Sequence, residues 1–404
     1  MGNLDLQLHE FTKLKSGVKR LTLTDFRNYK SLRLNTEIAP IIITGENGSG
    51  KTNILEAVSF LTPGRGLRGC RLADIKRIRT LEDNDTPTST SWSVAADILK
   101  NDEEYTIGTA LQSAEREDDE SDDEARTYTY DRRIVKINQQ KITQQAELGK
   151  YISAIWVTPQ MDRLFLGGTQ PRRSFLDRLV YAFDLEHAKR LANFEHLYRQ
   201  WYMLIKSGNY DARWLKSIEA DMASLGVAIA AARREQIARL NTFIEQEPDD
   251  IFPDVRLELD GTIEKMLDTK SALHVEDYYV ENLAKQRNNV LYNDSVDGVN
   301  RTDFKVYFQK KGMPADLCST GEQKALLISI ILAQTKCQIL NKGFSPILLL
   351  DEVTTHLDDK KRDALLDKIR NLNLQAWITS TEPQNFNLLR GEAQFFELAD
   401  GRVF

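Results

Sequence analysis

Apolar and polar residues alternate over 21–26 (LTLTDF), which predicts a half-buried strand. Ile41-Ile42-Ile43-Thr44 is a β-branched run that ends in a glycine-rich stretch, the pattern of a buried parallel strand. Residues 53–61 (NILEAVSFL) then take helical spacing. Strand patterns recur at 92–99, 104–111 and 126–137, and 134–142 (IVKINQQKI) resembles a hairpin. Residues 170–245 change character. They are rich in Leu, Ala, Arg and Glu and poor in breakers, so they predict helices, closed by Pro248 and Pro253. Alternation returns at 251–260 and 304–309. An apolar helix follows at 324–340, then buried strands at 347–350 and 376–379. Buried strands alternate with helices at both ends of the chain, which predicts an α/β sheet interrupted by a helical insertion.

The chain has 404 residues, enough for two or three domains and a large core. Cys70, Cys318 and Cys337 contain no C-x-x-C pair and cannot make a disulfide framework, so reduced thiols are expected. No basic stretch followed by an apolar segment opens the chain, Leu6 breaks the myristoylation pattern after Gly2, and no apolar run approaches membrane-spanning length. A cytoplasmic protein without a membrane partner is therefore expected. The formal charge is −6, but residues 115–124 (EREDDESDDE) hold eight acids and one arginine. Without them the balance is slightly positive. A run of this kind predicts a solvated loop insertion.

Gly45-Glu46-Asn47-Gly48-Ser49-Gly50-Lys51-Thr52 matches G-x-x-x-x-G-K-[ST], with a strand pattern before it and a helix pattern after it. Glycines let successive amides curl around phosphates, and the helix N-terminus adds a positive dipole. Lys51 is then placed for the β- and γ-phosphates and the Thr52 hydroxyl for Mg²⁺. Asp351 and Glu352 close the apolar run 347–350. An acid at the C-terminal end of such a strand meets the ligand edge of an open sheet, where Asp351 can hold Mg²⁺ and Glu352 can polarise water as the catalytic base. Cys318-Ser319-Thr320-Gly321-Glu322 opens the apolar helix. Ser-x-Gly at a helix start has an anion-binding shape, but taken alone it fits an ordinary N-cap better.

Together these pieces resemble the ABC-type ATPase heads of the SMC/RecF group. Ser319-Thr320-Gly321-Glu322 resembles the L-S-G-G-[QE] signature, with threonine replacing its first glycine, and Leu357-Asp358 resembles the D-loop. No histidine stands at Thr379-Ser380-Thr381, where transporter ATPases carry a switch histidine. Residues 160–319 show no sustained heptads, which excludes a long-armed member. Four stretches resemble the bacterial RecF family: Phe26-Arg27-Asn28-Tyr29, Gly50-Lys51-Thr52-Asn53-Ile54-Leu55-Glu56-Ala57, Arg172-Arg173-Ser174-Phe175-Leu176-Asp177, and Ser319 to Leu327.

The resemblance implies an ABC-type P-loop ATPase head of mixed sheet and flanking helices, carrying a short helical lobe. The expected parts are 18–165 and 305–404 for the head and 166–304 for the lobe. It implies a weak ATPase that uses ATP as a switch for homodimer formation, with Ser319 and Gly321 capping the γ-phosphate held by the partner copy. Gln160 falls where a Q-loop residue senses Mg²⁺ or water, and Arg27 near the adenine. It also implies binding to duplex or gapped DNA and single/double-strand junctions, with RecR and RecO as partners and RecA loading as the outcome. Basic residues cluster at Lys13, Lys15, Lys19, Arg20, Arg27, Lys30 and Arg33, and again at Arg65, Arg68, Arg71, Lys76, Arg77 and Arg79. The second cluster is the expected DNA surface, through phosphate contacts and without base reading. The competing readings are a sensor or defence ATPase acting on another chain, a transporter-coupled ATPase and a small-molecule kinase.

Overall fold

The computed structural model describes residues 16–77, 91–117, 127–208, 210–247, 249–292, 295–399 and 402–404. In chain order its elements are β1 (Ser16–Phe26), β2 (Tyr29–Asn35), β3 (Ile41–Gly45), α1 (Lys51–Ser59), β4 (Ser93–Lys100), β5 (Glu103–Glu117), β6 (Thr127–Ile137), β7 (Gln140–Lys141) and β8 (Ala154–Val157). Next come α2 (Thr169–Tyr181), α3 (His187–Ser207), α4 (Ala212–Gln246), β9 (Val255–Asp260), α5 (Thr262–Met266), α6 (Ala272–Lys285) and α7 (Arg287–Leu291). The chain ends with β10 (Asp303–Phe308), β11 (Met313–Pro314), α8 (Thr320–Lys342), β12 (Ile347–Asp351), α9 (Asp359–Asn371), β13 (Ala376–Ser380), β14 (Gln394–Ala399) and β15 (Arg402–Val403). Two compact units result, Met1–Pro159 with Gln338–Phe404, and Gln160–Cys337.

The first unit holds two six-stranded sheets. One has the order β15-β14-β3-β13-β12-β8, and within it β14, β3, β13, β12 and β8 run parallel. Its central strands are buried along their whole length, as parallel strands covered on both faces must be. The P-loop strand β3 and the acid-terminated strand β12 are not neighbours, because β13 lies between them. The second sheet is antiparallel, ordered β2-β1-β4-β5-β6-β7. Phe26 meets both Phe60 and Trp92 edge to face, and the Phe60 and Trp92 rings are tilted at 56° to each other. The 134–142 hairpin turns at Asn138 and Gln139 with φ +47° and +68°, the two left-handed residues that a tight antiparallel turn needs.

The acidic stretch departs in part from its predicted loop. Glu115, Arg116 and Glu117 belong to β5 and pair with Thr129, Tyr128 and Thr127 of β6. Ladder hydrogen bonds use backbone groups, which residues of every type here supply, so an acidic composition does not rule out pairing. Residues 118–124 lie outside the described residues, as do Lys13, Lys15 and Arg79.

The second unit packs α3, α4 and α6 around Phe194, Trp201, Met222, Tyr279 and Leu283, with the small sheet β11-β10-β9 alongside α2 and α4. Its boundaries fall at 159/160 and 337/338, against the expected 165/166 and 304/305. The physical reason is that β10 pairs with β9 over its whole length, which binds residues 303–308 to the helical lobe. Arg172 forms a bidentate pair with Asp303 at 2.8 and 2.9 Å, and Arg173 donates to the Thr302 carbonyl at 3.1 Å. Asp177, the last residue of the R-R-S-F-L-D stretch, is buried against Arg233 and His187 at 2.8–2.9 Å. These residues therefore organise the lobe from inside.

Candidate functional site

β3 ends at Gly45, whose φ is +148°; a Cβ there would meet the Leu398 carbonyl at 2.4 Å. Gly48 and Gly50 follow at φ +84° and +106°. Gly50 is the N-cap of α1 and provides no side-chain cap; the Asn53 amide takes the Gly50 carbonyl at 3.0 Å, and no side chain covers the Lys51 and Thr52 amides ahead of it. That is the backbone of a phosphate cradle. A cleft of about 1310 Å³ opens beside it, lined by Gly45, Asn47, Ser49, Arg390, Phe395 and Phe404 among others.

The Lys51 ammonium donates to the carbonyls of Gly45 and Glu46 at 2.7 and 2.8 Å. Burial lowers its pKa, opposed by the charges of Glu352 and Asp351. Thr52 Oγ1 lies 2.9 Å and 3.1 Å from the two carboxylate oxygens of Asp351, a residue 299 positions away. The hydroxyl and the carboxylate, both hard oxygen donors, thus meet at the ends of α1 and β12. Among the described residues no group of three or more His, Cys, Asp or Glu could hold a metal ion by itself. The hydroxyl–carboxylate pair is of the kind Mg²⁺ takes, since that ion binds through one or two protein oxygens and completes its octahedron with phosphate and water. Thr52 and Asp351 would hold it and bring phosphate charge under control there.

Glu352 follows at φ +48°, a left-handed backbone rare for its type. Its amide donates to Thr379 Oγ1 at 3.0 Å, and Thr379 Oγ1 donates to Asp351 Oδ1 at 2.7 Å. Thr379 and Ser380 lie inside β13, and only Thr381 of the triplet follows the strand. Asp358 accepts from the Lys361 amide at 2.9 Å and caps α9.

The F-R-N-Y residues grip the P-loop from the β1–β2 hairpin. Arg27 takes the first loop position at φ +55°, where an arginine is uncommon. Its guanidinium is fixed by Glu56 at 2.6 and 2.8 Å, the Asp74 carbonyl at 2.7 Å and Cys70 Sγ at 3.0 Å. Burial lowers the Arg27 pKa, but the hydrogen bonds and charge of Glu56 outweigh it and leave the pKa raised. Asn28 accepts from Asn53 at 2.7 Å, and the Tyr29 hydroxyl donates to the Gly50 carbonyl at 3.1 Å. A side chain at Gly50 would place its Cβ 2.5–2.6 Å from Asn28 and Tyr29. At the far end of α1, buried Arg133 donates to the carbonyls of Phe60, Thr62 and Gly64. Burial brings its pKa down to about 10.

The basic cluster divides. Arg68 donates to Glu56 at 2.7 Å and to Asn53 at 2.8 Å, and Lys76 faces Asp131 at 3.8 Å. Arg65 and Arg71 are exposed and form no ion pair among the described residues. The Arg77 amide bonds the Asp25 carbonyl. In the first basic stretch Lys19 pairs with Glu104, Arg20 with Asp97 and Arg27 with Glu56. Gln160, Ser319 and Gly321 lie in the second unit, where Gln160 is exposed. Ser319 and Glu322 form a capping box at the start of α8: the Ser319 amide and hydroxyl reach the Glu322 carboxylate at 2.9 and 3.0 Å. Lys311, then the Ser319 amide, holds the Glu322 carboxyl down at about 2.

The RecF/RecN/SMC N-terminal domain family matches residues 17–399. The DNA replication and repair protein RecF of Rhizobium etli (strain CIAT 652) is 39% identical over 396 residues, covering 96% of this chain and 99% of its own. That of Agrobacterium fabrum is 39% identical over 395 residues, covering 96% and 98%. This chain belongs to the RecF family of DNA replication and repair proteins. The recombination mediator RecF solved with ATP, described as part of the RecFOR pathway, superposes with a TM-score of 0.76 at 20% identity over 97% of this chain and 99% of its own. The Smc head domain from Pyrococcus furiosus reaches 0.51 at 15% identity over 96% of this chain and 95% of its own. The likeness establishes the expected ATPase-head fold with a helical lobe. No long coiled coil occurs among the described residues, and none of their helices is long and apolar enough to cross a membrane.

Within the RecF family fold, Thr52 meets Asp351, and Lys51 lies within reach of the charges of Asp351 and Glu352. Asn53, Glu56 and Thr379 were not predicted as site residues. Asn53 and Glu56 sit in the G-K-T-N-I-L-E-A stretch, but their partners lie outside it, Asn28 and Arg27 in the hairpin before it and Arg68 after it. No sequence signal paired Thr379 with Asp351.

Proposed function

We propose that this RecF-family chain is an ATP-dependent DNA-binding protein of recombinational repair and replication-fork maintenance. The observation that carries the nucleotide part is the meeting of Thr52 and Asp351 at the foot of the open α1 N-terminus. Gly45 to Thr52 wrap the phosphates, and Lys51 leaves the Gly45 and Glu46 carbonyls for phosphate oxygens. Thr52 and Asp351 would hold Mg²⁺, which would supply charge to the phosphates, and Glu352 takes a proton from the attacking water in slow hydrolysis; Gln160 keeps only its expected role as a sensor of Mg²⁺ or water. Arg27 serves the adenine side of the site through its grip on Glu56.

ATP joins two copies. Ser319 and Gly321 at the α8 N-terminus of one copy face the γ-phosphate held by the other, and Asp358 lies at the seam. The dimer grips duplex or gapped DNA through phosphate contacts from Arg65 and Arg71, with Arg68, Lys76 and Arg77 supporting that loop. RecR and RecO then act with it to load RecA, in the cytoplasm. Support for this pathway is the family membership and the name of the solved relatives.

The test is duplex DNA binding at near-physiological salt with Mg²⁺, with and without ATP, with mass read by sedimentation. ATP-dependent binding in a two-subunit complex is expected. Dimerisation without DNA binding removes the repair reading, and the absence of any ATP response removes the nucleotide reading.

A further inference from the structure

Thr379 sits on β13, the strand between the P-loop strand and β12, which ends at Asp351 just before Glu352. Its register neighbours are Asp351 on one side and Ile43 on the other. It is fully buried. A threonine hydroxyl carries one proton. The Glu352 N–H, 3.0 Å away, occupies a lone pair of Thr379 Oγ1, so that proton points to Asp351 Oδ1 at 2.7 Å. The two bonds run in one direction: Glu352 amide to Thr379, Thr379 to Asp351. Asp351 Oδ1 also faces the Thr52 hydroxyl. A divalent cation bound by Thr52 Oγ1 and Asp351 would compete for the oxygens of that contact. The Thr379 bond, by contrast, comes from β13 and uses neither Thr52 nor α1.

We propose that Thr379 is a positioning residue of the nucleotide site: its single hydroxyl orients the Asp351 carboxylate and the Glu352 backbone together, and so sets the affinity for the divalent cation. The inference rests on the nucleotide reading above and goes beyond it by assigning the outer contact that tunes the metal-binding carboxylate. Groups that hydrogen-bond a metal-ligating carboxylate from behind fix its orientation and basicity, and their loss typically weakens metal binding about 10–100-fold. Valine is the matched replacement, since it keeps the β-branch and the volume and removes only the hydroxyl.

The experiment titrates Mg²⁺ into the full chain with a fluorescent ATP analogue, and reads binding alone. Wild type, Thr379→Val and Thr379→Ser are compared, each also without Mg²⁺ and by melting temperature. Thr379→Val is expected to raise the half-effective Mg²⁺ concentration about tenfold and to leave Mg²⁺-free binding nearly unchanged. Thr379→Ser is expected to return it to within about twofold of wild type. A purely structural threonine would instead weaken binding equally with and without Mg²⁺. If Thr379→Val fails to fold, Thr379→Ala takes its place in the same titration. A wild-type Mg²⁺ response in the hydroxyl-free variant, or a serine variant as impaired as valine, overturns the proposal. A wild-type chain whose analogue binding ignores Mg²⁺ overturns the nucleotide reading itself.

Discussion

Arg27 and Glu56 form a two-point ion pair, 2.6 and 2.8 Å long, that joins the β1–β2 hairpin to the helix of the P-loop. The Glu56 side chain is fully buried, and Arg68 supplies a second guanidinium at 2.7 Å. A buried carboxylate flanked by two cations is costly to expose from either side, because removing one partner leaves a desolvated charge. The hairpin therefore cannot drift without disturbing α1, whose N-terminus forms the phosphate cradle.

Glu56→Ala should lose about 3 kcal/mol of stability, seen as a lower midpoint in urea unfolding. Arg27→Lys keeps the charge but loses the fork, so it should cost less stability than Glu56→Ala and still weaken ATP-analogue binding. Equal analogue affinity in Arg27→Lys and wild type would show that the hairpin does not position the P-loop.

Lys51→Ala should abolish ATP-analogue binding with little change in melting temperature, since among the described residues the Lys51 ammonium bonds only the nearby Gly45 and Glu46 carbonyls. Glu352→Gln should keep that binding and slow turnover at least tenfold. Full turnover by Glu352→Gln would remove it from the role of base.

Ser319→Arg should spare ATP-analogue binding by the single chain and block ATP-dependent dimer formation. It also breaks the capping box with Glu322, at a cost of about 1 kcal/mol, so a small drop in melting temperature is expected as well. The pH dependence has a definite sign. The Glu322 carboxyl is depressed to about 2 in the folded chain, below its ordinary 4.5. Its contribution is therefore present above about pH 4.5 and is lost as pH falls through about 2. The melting difference between wild type and Glu322→Gln should shrink on acidification across that window, and a constant difference would contradict the box.

Arg65→Ala with Arg71→Ala should reduce the salt slope of duplex binding by about two, one unit for each phosphate contact, without affecting stability. Arg68→Ala should do the reverse: lower stability, through Glu56, with a smaller change in slope. A larger slope change in Arg68→Ala would place that side chain on DNA in the complex.

Much of the site was legible in the chain because the chemistry is local. The glycines at 45, 48 and 50 are required by backbone angles and close approach, and Lys51-Thr52 follow them directly. Asp351 was legible because an acid after four apolar residues emerges where a buried strand ends. The acidic stretch was read too simply, since composition reports solvation and not backbone pairing. Strand β8 was missed because Ala154–Val157 offers only four residues, too short for a period to show. The lobe boundary was missed because the pairing of β10 with β9 spans a helical segment and leaves no local mark.

The sequence by itself determined the P-loop, the acid-ended strand, the helical lobe and the likeness to one family, because each is carried by spacing along a few residues. Only the tertiary structure decided which charges are already spent. Arg27 and Arg68 look like two cations of a basic surface, yet both are committed to Glu56. Thr379 looks like a missing histidine, yet its hydroxyl is committed to Asp351. A charge or a hydroxyl is available to a ligand only when no buried partner claims it, and those partners are brought together by strand order and packing across most of the chain.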